Sequence, residues 1–373
     1  MNLQMNAPLV NNFPAELADQ LITQPLPAAD SIRDFCEAHG LHQKRLLIAF
    51  SGGKDSLFLA CVMKNLCHVW QTEFALAYLN HQAQESNSIQ QEFVQHFAMA
   101  AEIPLHSETL DSQLWKEGFQ ESQARQLRYQ WLQQTAASHQ MDAILTAHHQ
   151  DDQVETLLFR LFRGTGFRGL NGIPQQRPLS EALSLYRPML EIDSTQITEA
   201  LSSRGIPHWE DPSNSNAQFT RNWIRHQLVP MLQSQPHFHF PESLLKFSHQ
   251  AGEVQEYLQQ QAEPILWEAL ETWGKFNLCG QSYDVKRQSI EQAGSVEEVV
   301  LDAQKLKPLP MVIRRELFVN LLEKLQWPQQ QMSLAHWQKM AELIDEPGKR
   351  AEFPGKMTYL HRQKKIRLLH TSS

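Results

Sequence analysis

The sequence predicts an α/β protein: an open, mostly parallel sheet with helices on both faces, a mainly helical second region, and a small α+β C-terminal part. Three observations carry this. Short apolar runs at 46–50, 74–80 and 143–147 alternate with segments of helical periodicity, the pattern of βαβ units. The runs are almost continuously apolar, as strands buried on both faces are. The first ends in two glycines and the last in clustered His and Asp. Polar groups therefore gather at strand carboxyl ends, where open α/β sheets bind ligands.

The whole chain bounds the reading. Its 373 residues allow a sizeable core and more than one domain. No apolar stretch is long enough to span a membrane, and the N-terminus lacks a basic-then-apolar secretion pattern. Cys36, Cys61, Cys67 and Cys279 are scattered, without a disulfide framework or a Cys-x-x-Cys pair, so a reducing cytoplasm fits best. A net charge of −8 argues against a generic nucleic-acid binder but leaves room for one RNA held by a local basic patch.

In order, residues 1–25 read as an extension or a short first helix, and 31–39 as helical until Gly40. The strand at 46–50 stops at Ser51-Gly52-Gly53, and a helix runs from Ser56 to near His68. Two glycines permit a sharp turn and close approach to a ligand, and the turn delivers backbone N–H groups to a positive helix end: an anion site. Ser51 and Ser56 add hydroxyl donors. Asp55 would repel a bare phosphate and points to a phosphate carried with a divalent cation. The spacing is neither Gly-x-x-x-x-Gly-Lys-Ser/Thr nor Gly-x-Gly-x-x-Gly, so Lys54 does not inherit the Walker lysine's role.

A second strand at 74–80, a polar loop at 81–88, a helix at 89–100 and a short strand at 104–106 follow; 112–119 carries no clear pattern. In the helix at 121–137, Leu127, Trp131 and Leu132 form an apolar face. Arg125 and Arg128 read equally well as a solvated row paired with Glu121 or as a basic row near phosphates. The strand at 143–147 runs into His148-His149-Gln150-Asp151-Asp152 and a helix at 153–162. Helix capping accounts for one carboxylate, but two histidines with Asp151, Asp152 and Glu155 exceed that need. With no thiol ligand and a phosphate loop that asks for a hard cation, Mg2+ is preferred to a transition metal. Residues 163–172 form a glycine-rich loop carrying Arg163 and Arg168. Then come an extended segment at 185–190, a helix at 194–204, an extended piece at 206–209, a polar loop at 210–214 and a basic helix start with Arg221 and Arg225.

SGGKDS at 51–56 resembles the pyrophosphatase loop of enzymes that cleave ATP between its α and β phosphates. Four further segments follow in order: HHQDDQVET at 148–156, RGTGFRGL at 163–170, RPML at 187–190, and EDPSN…RNWIR within 210–225. Together they resemble the tRNA(Ile)-lysidine synthetases over roughly residues 30–230. The resemblance implies a PP-loop ATPase fold, adenine nucleotide alpha-hydrolase-like. It also implies conversion of the wobble cytidine of a CAU anticodon to lysidine, from ATP, Mg2+, tRNA(Ile) and free L-lysine. Carried over residue by residue, it implies nucleotide binding by Ser51, Gly52, Gly53, Lys54, Asp55, Ser56, Arg163 and Arg225. It implies catalytic roles for Asp55, His148, Asp151, Asp152, Glu155 and Arg221, and a metal on Asp55 and Asp152. A homodimer is allowed. His81 matches a family loop whose arginine is missing here, so no contact is assigned. Thiolating tRNA enzymes share the SGGKDS loop but use cysteine pairs, which this sequence lacks. A non-catalytic nucleotide- or RNA-binding protein is the remaining alternative.

The expected domains are 25–230 for nucleotide chemistry, 231–330 as a helical substrate-binding region, and 331–373 as a small basic segment packed with it, with no further C-terminal domain. Within them the pattern predicts helix at 244–271 partly broken at Pro264, short strands at 275–285, helix at 296–325 and 334–345, and one or two strands at 357–369. Basic residues at 349–369 suit RNA phosphate as well as a protected strand edge. Recognition is expected to lean on the anticodon arm.

Overall fold

The structure is a computed structural model that describes residues 13–14, 16–80, 87–110, 121–180, 182–209, 220–235, 237, 239–274, 298–329 and 331–371. Residues 81–86 of the loop read at 81–88, the loop read at 210–214 and the strands expected at 275–285 lie outside them. The chain divides into two compact units, residues 1–159 with 172–245, and residues 160–171 with 246–373.

The first unit is built on β1 (Leu46–Ala49), β2 (Phe74–Asn80), β3 (Leu105–Thr109), β4 (Ala143–Leu145), β5 (Gln176–Pro178) and β6 (Ser184–Tyr186), in the order β3-β2-β1-β4-β6-β5. All neighbours are parallel except β5, which runs antiparallel to β6 at the edge. The chain winds from β1 out to β3 and then crosses back to β4. The topological switch thus falls between β1 and β4, where a crevice opens at the strand carboxyl ends.

Alternate residues of these strands face opposite cores. Leu46, Ile48, Leu76 and Leu145 pack with α1 (Leu17–Thr23), α2 (Ala29–Ala38), α3 (Lys54–Trp70) and α4 (Asn87–Ala100). Leu47, Ala75, Ala77 and Ile144 pack against Tyr129, Leu132 and Ala136 of α5 (Glu121–Ser138). Both faces being covered explains why the strands read as unbroken apolar runs. Next come α6 (Gln150–Phe162), α7 (Phe167–Leu170), α8 (Ser194–Ser202), α9 (Thr220–Trp223) with a π-type turn over Ile224–Leu228, and α10 (Val229–Gln233).

The second unit holds most of α11 (Glu242–Ala269), then α12 (Ala303–Leu306), α13 (Met311–Lys324) and α14 (Leu334–Glu342). Its antiparallel sheet has the order β7-β8-β11-β10-β9, from β7 (Leu270–Gly274), β8 (Glu298–Asp302), β9 (Arg350–Phe353), β10 (Met357–Arg362) and β11 (Lys365–His370). Two expectations change here. Within the helix expected at 296–325, Glu298–Asp302 is a strand between β7 and β11, and its apolar run, Val299–Leu301, is too short to be assigned by periodicity alone. Pro264 does not break α11, whose Ala262, Leu266 and Ala269 are buried against Val299 and Leu301; that burial offsets one lost backbone hydrogen bond. The strands expected at 357–369 are β10 and β11; β9 precedes them, and all three share one core with α13 and α14.

The glycine-rich loop belongs to this second unit. Arg160 donates from Nη1 to the Gly169 carbonyl at 2.9 Å, Ser248 Oγ donates to the Leu170 carbonyl at 2.7 Å, and Arg168 pairs with Glu323. A Cβ at Gly169 would stand 1.8 Å from Thr165 Oγ1, so the turn needs glycine there.

Candidate active site

The phosphate loop is held by its own side chains. Gly52 has φ +77°, and a Cβ there would meet Val94 Cγ2 at 3.0 Å, so both backbone conformation and space require glycine. Gly53 is the N-cap of α3. The Ser51 N–H donates to Ser56 Oγ (3.1 Å), the Gly53 N–H to Ser51 Oγ (3.3 Å), and the Ser56 hydroxyl to the Gly53 carbonyl (3.1 Å). Gln90 Nε2 donates to the Ser51 carbonyl, and the Trp209 N–H to the Gly52 carbonyl at 3.0 Å. Ser56 is buried, so it braces the loop, while Ser51 is exposed. Lys54 Nζ reaches Thr198 Oγ1 at 3.4 Å.

One imidazole joins this loop to the second polar junction. His149 Nε2 lies 3.6 Å from Asp55 Oδ2 on α3 and 3.7 Å from Asp152 Oδ2 on α6. The Asp151 N–H donates to His149 Nδ1 at 3.3 Å, which leaves the neutral ring's proton on Nε2, facing the two carboxylates. Burial alone would lower the His149 pKa; the hydrogen bond to Asp55 and the charges of Asp152, Asp55 and Asp151 outweigh it and raise the value. Burial would likewise raise Asp55, but His149, Lys54 and Arg225 hold its carboxyl below the ordinary range. Asp55 Oδ1 is buried with no hydrogen-bond partner among the described residues.

The helix start itself is capped by Asp152, whose Oδ2 accepts from the His149 N–H at 3.0 Å. Asp151 accepts from the Ser194 hydroxyl of α8. Glu155 is buried, and Arg225 meets both its oxygens, through Nε on Oε1 and through Nη2 on Oε2 at 3.1 Å; Nη2 also lies 3.3 Å from Asp152 Oδ1. The pair forms because Ile224 and Leu228 on the π-type turn bury against Val154 and Leu158 of α6. Burial raises the Glu155 pKa, with Arg225 opposing. Arg221 lies over the Phe159 ring, 5.5 Å from its centroid. His148 shares a hydrogen bond with Thr146 through Nδ1 at 2.9 Å. Burial drives its pKa down to about 4 against the pull of Asp152, helped by Arg187, Arg125 and Arg128.

The structure therefore gathers Ser51, Gly52, Gly53, Lys54, Asp55 and Ser56 with His148, Asp151, Asp152, Glu155 and Arg225, while Arg221 is placed only against Phe159, one turn beyond Glu155 on α6. Arg163 is exposed and belongs to the second unit. Arg225 is engaged with the carboxylates of Glu155 and Asp152. Trp209, Gln90, Ser194 and His149's bridging place carried no sequence signal, because each depends on a partner far along the chain.

The donor set suits a hard cation. Asp55 and Asp152 bring two carboxylates beside the phosphate loop, where one oxygen of each meets His149 Nε2, and Asp55 keeps its second, buried oxygen without a partner among the described residues. Mg2+ typically takes one or two carboxylates and completes its shell with phosphate and water. Among the described residues no group of three or more His, Cys, Asp or Glu forms a ready-made metal cage. Cys36, Cys61 and Cys67 are buried. Burial pushes the Cys36 thiol up to about 12 and the other two higher, so none of these offers a thiolate. No described helix is long and apolar enough to cross a membrane.

Comparison with known proteins agrees with this geometry. Residues 26–232 match the PP-loop domain family. A tRNA(Ile)-lysidine synthase of Nostoc sp. is 31% identical over 318 residues, covering 84% of this chain and 87% of the relative. That of Geobacillus kaustophilus is 32% identical over 250 residues, 65% of this chain and 53% of its own length. The chain thus spans about half of some relatives and most of others. Among solved structures, the U34-tRNA thiolase NcsA from Methanococcus maripaludis, with its [4Fe-4S] cluster, aligns with a TM-score of 0.50 at 13% identity, covering 61% of this chain and 77% of that one, a likeness of fold. With the PP-loop domain matched across more than half of its length and a synthase relative aligned across most of it, the chain belongs to the tRNA(Ile)-lysidine synthase family of PP-loop enzymes.

Proposed function

We propose that this protein converts the wobble cytidine of the CAU anticodon of tRNA(Ile) to lysidine, using ATP and free L-lysine. The observation that carries the reading is the convergence of Asp55, from the phosphate-loop helix, and Asp152, from the His-His-Gln-Asp-Asp helix, on the single imidazole of His149. It couples the nucleotide's phosphates to a second polar centre that a plain ATP site does not need.

In the first step the cytidine carbonyl oxygen forms a bond to the α-phosphorus, the bond from that phosphorus to the bridging oxygen breaks, and pyrophosphate leaves. The Ser51–Gly53 turn and the N-terminal end of α3 that it opens would supply positive potential to the charge that develops. Mg2+ held on Asp55 and Asp152 would neutralise part of that charge. In the second step the lysine ε-amine bonds to the adenylated base carbon, the carbon–oxygen bond breaks and AMP leaves. The free amine has an ordinary pKa of about 10.4, so it must lose a proton before or during attack. Asp151, Asp152 and Glu155 are the carboxylates placed to take it. Arg225 opposes the rise that burial gives the Glu155 pKa. His148, neutral near pH 7, can accept or donate a hydrogen bond there without adding charge.

The test follows pyrophosphate release from ATP with unmodified tRNA(Ile) bearing CAU, with and without lysine, and radiolabelled lysine into the RNA. Lysine incorporation supports the reading. Pyrophosphate release without incorporation would keep the adenylating step and assign the second to another nucleophile. No release with any tRNA would overturn both steps.

A further inference from the structure

Four arginines surround one buried phenol in the first unit. Arg177 lies 5.3 Å, Arg125 5.6 Å and Arg128 5.8 Å from the Tyr129 ring centroid. Arg187, 3% exposed, reaches the Tyr129 hydroxyl as well. The four come from α5, from edge strand β5 and from the residue after β6, so the tertiary fold alone brings them together.

Like charges at this density repel, and burial of Arg187 adds a desolvation cost. Among the described residues no carboxylate pairs with Arg125, Arg177 or Arg187. Arg187 gives Nη1 to the Pro174 carbonyl at 2.6 Å, while its buried Nε has no hydrogen-bond partner. Burial would raise the Tyr129 phenol, yet the four guanidiniums outweigh burial and lower its pKa, so the electrostatic field here strongly favours an anion. Arg125 and Arg177 are exposed while Arg187 is buried, so the cluster joins solvent-accessible guanidiniums to a buried one around the same side chain. Such a set suits an anion, and it lies within electrostatic reach of His148.

We propose that Arg125, Arg177 and Arg187, arranged about Tyr129, form a phosphate site beside His148, occupied by a backbone phosphate of the RNA next to the reacting base. RNA is favoured over nucleotide because the Ser51–Gly53 turn already serves the nucleotide's phosphates, and because the exposed Arg125 and Arg177 admit a strand that continues past the site. The proposal rests on the RNA-modifying reading above, and it supplies the local basic patch that an acidic chain needs to hold RNA. Guanidinium forks match phosphate oxygens in pairs, and Tyr129 fixes their spacing.

The test uses the full chain with Arg125→Gln and Arg177→Gln combined; both side chains are exposed, so the fold should persist, and a thermal melt checks this. Binding of a tRNA(Ile) anticodon stem-loop is titrated at several salt concentrations, and KM for ATP is measured alongside. RNA affinity should fall roughly 10- to 100-fold. The slope of log affinity against log salt should become shallower by about 1.5 to 2. KM for ATP should stay within about twofold. A weakened ATP KM with unchanged RNA binding would keep the phosphate site and assign it to the nucleotide. Wild-type values for both overturn the proposal. Should the wild type incorporate no lysine, the proposed reaction fails, while a salt-dependent loss of RNA binding in the double variant would still support the site.

Discussion

Arg225 and Arg314 look alike in sequence: each lies on a helical segment with carboxylates in reach. Their surroundings differ. Arg314, in the second unit, donates to the Leu309 carbonyl (2.9 Å), the Lys307 carbonyl and Asp345 Oδ2 (2.5 Å). It ties the connection before α13 to the end of α14. Among the described residues, Arg225 donates to carboxylates, Glu155 and Asp152, in the same cluster that reaches the phosphate loop. An arginine bound largely to backbone carbonyls fixes a fold. One bound to carboxylates at a strand-end crevice sets the charge of a site. Beside Arg225's cluster, Asp55 keeps a buried oxygen without a partner among the described residues, which a bound ligand would satisfy.

The comparison predicts where variants do harm. The largest effect should be Asp55→Asn, which keeps size and removes the charge: pyrophosphate release should drop on the order of 10²- to 10³-fold, with the melting temperature nearly unchanged. A normal rate would detach the loop carboxylate from the chemistry. Next, Arg225→Ala and Arg314→Ala should separate cleanly. The first should reduce lysine incorporation on the order of 10²-fold at a stability cost of about 1–2 kcal/mol, because Glu155 can take up a proton once unpaired. The second should cost about 2–4 kcal/mol and act on turnover only through unfolding. Equal melting losses in urea titrations of the two would erase the distinction.

His148 sharpens the comparison by pH. Its folded pKa, about 4, lies below the ordinary 6.5, so on acidification the unfolded chain takes the proton first. The stability it contributes is fully present above pH 6.5 and is lost as pH falls from 6.5 towards 4, by up to about 3 kcal/mol. His148→Gln should flatten that part of the stability curve, and identical curves would mean the imidazole is not desolvated. The smallest effect belongs to Arg168→Ala. Its pairing with Glu323 is exposed, so its removal should cost under about 1 kcal/mol in a thermal melt. A large loss of RNA or ATP binding in that variant would instead give the glycine-rich loop a ligand role.

The legible parts share a cause. β2 was readable to the residue because seven consecutive positions are buried, and the phosphate loop because glycine pairs between a strand and a helix have few other uses. Arg125 and Arg128 were ambiguous because their neighbours at the site, Arg177 and Arg187, arrive from 49 or more residues later. β8 was misread as helix because its partners, β7 and β11, lie far away in sequence.

By itself the sequence determined the α/β class, the order of elements around the loop, and the residue types for phosphate and carboxylate chemistry. These follow from local periodicity, glycine conformation and motif spacing. Only the tertiary structure decided that His149 bridges Asp55 and Asp152, that Arg225 engages Glu155, and that four arginines meet over Tyr129. Those are contacts between residues remote in the chain, and their energies depend on burial and on distances that exist only once the sheet and its helices have packed.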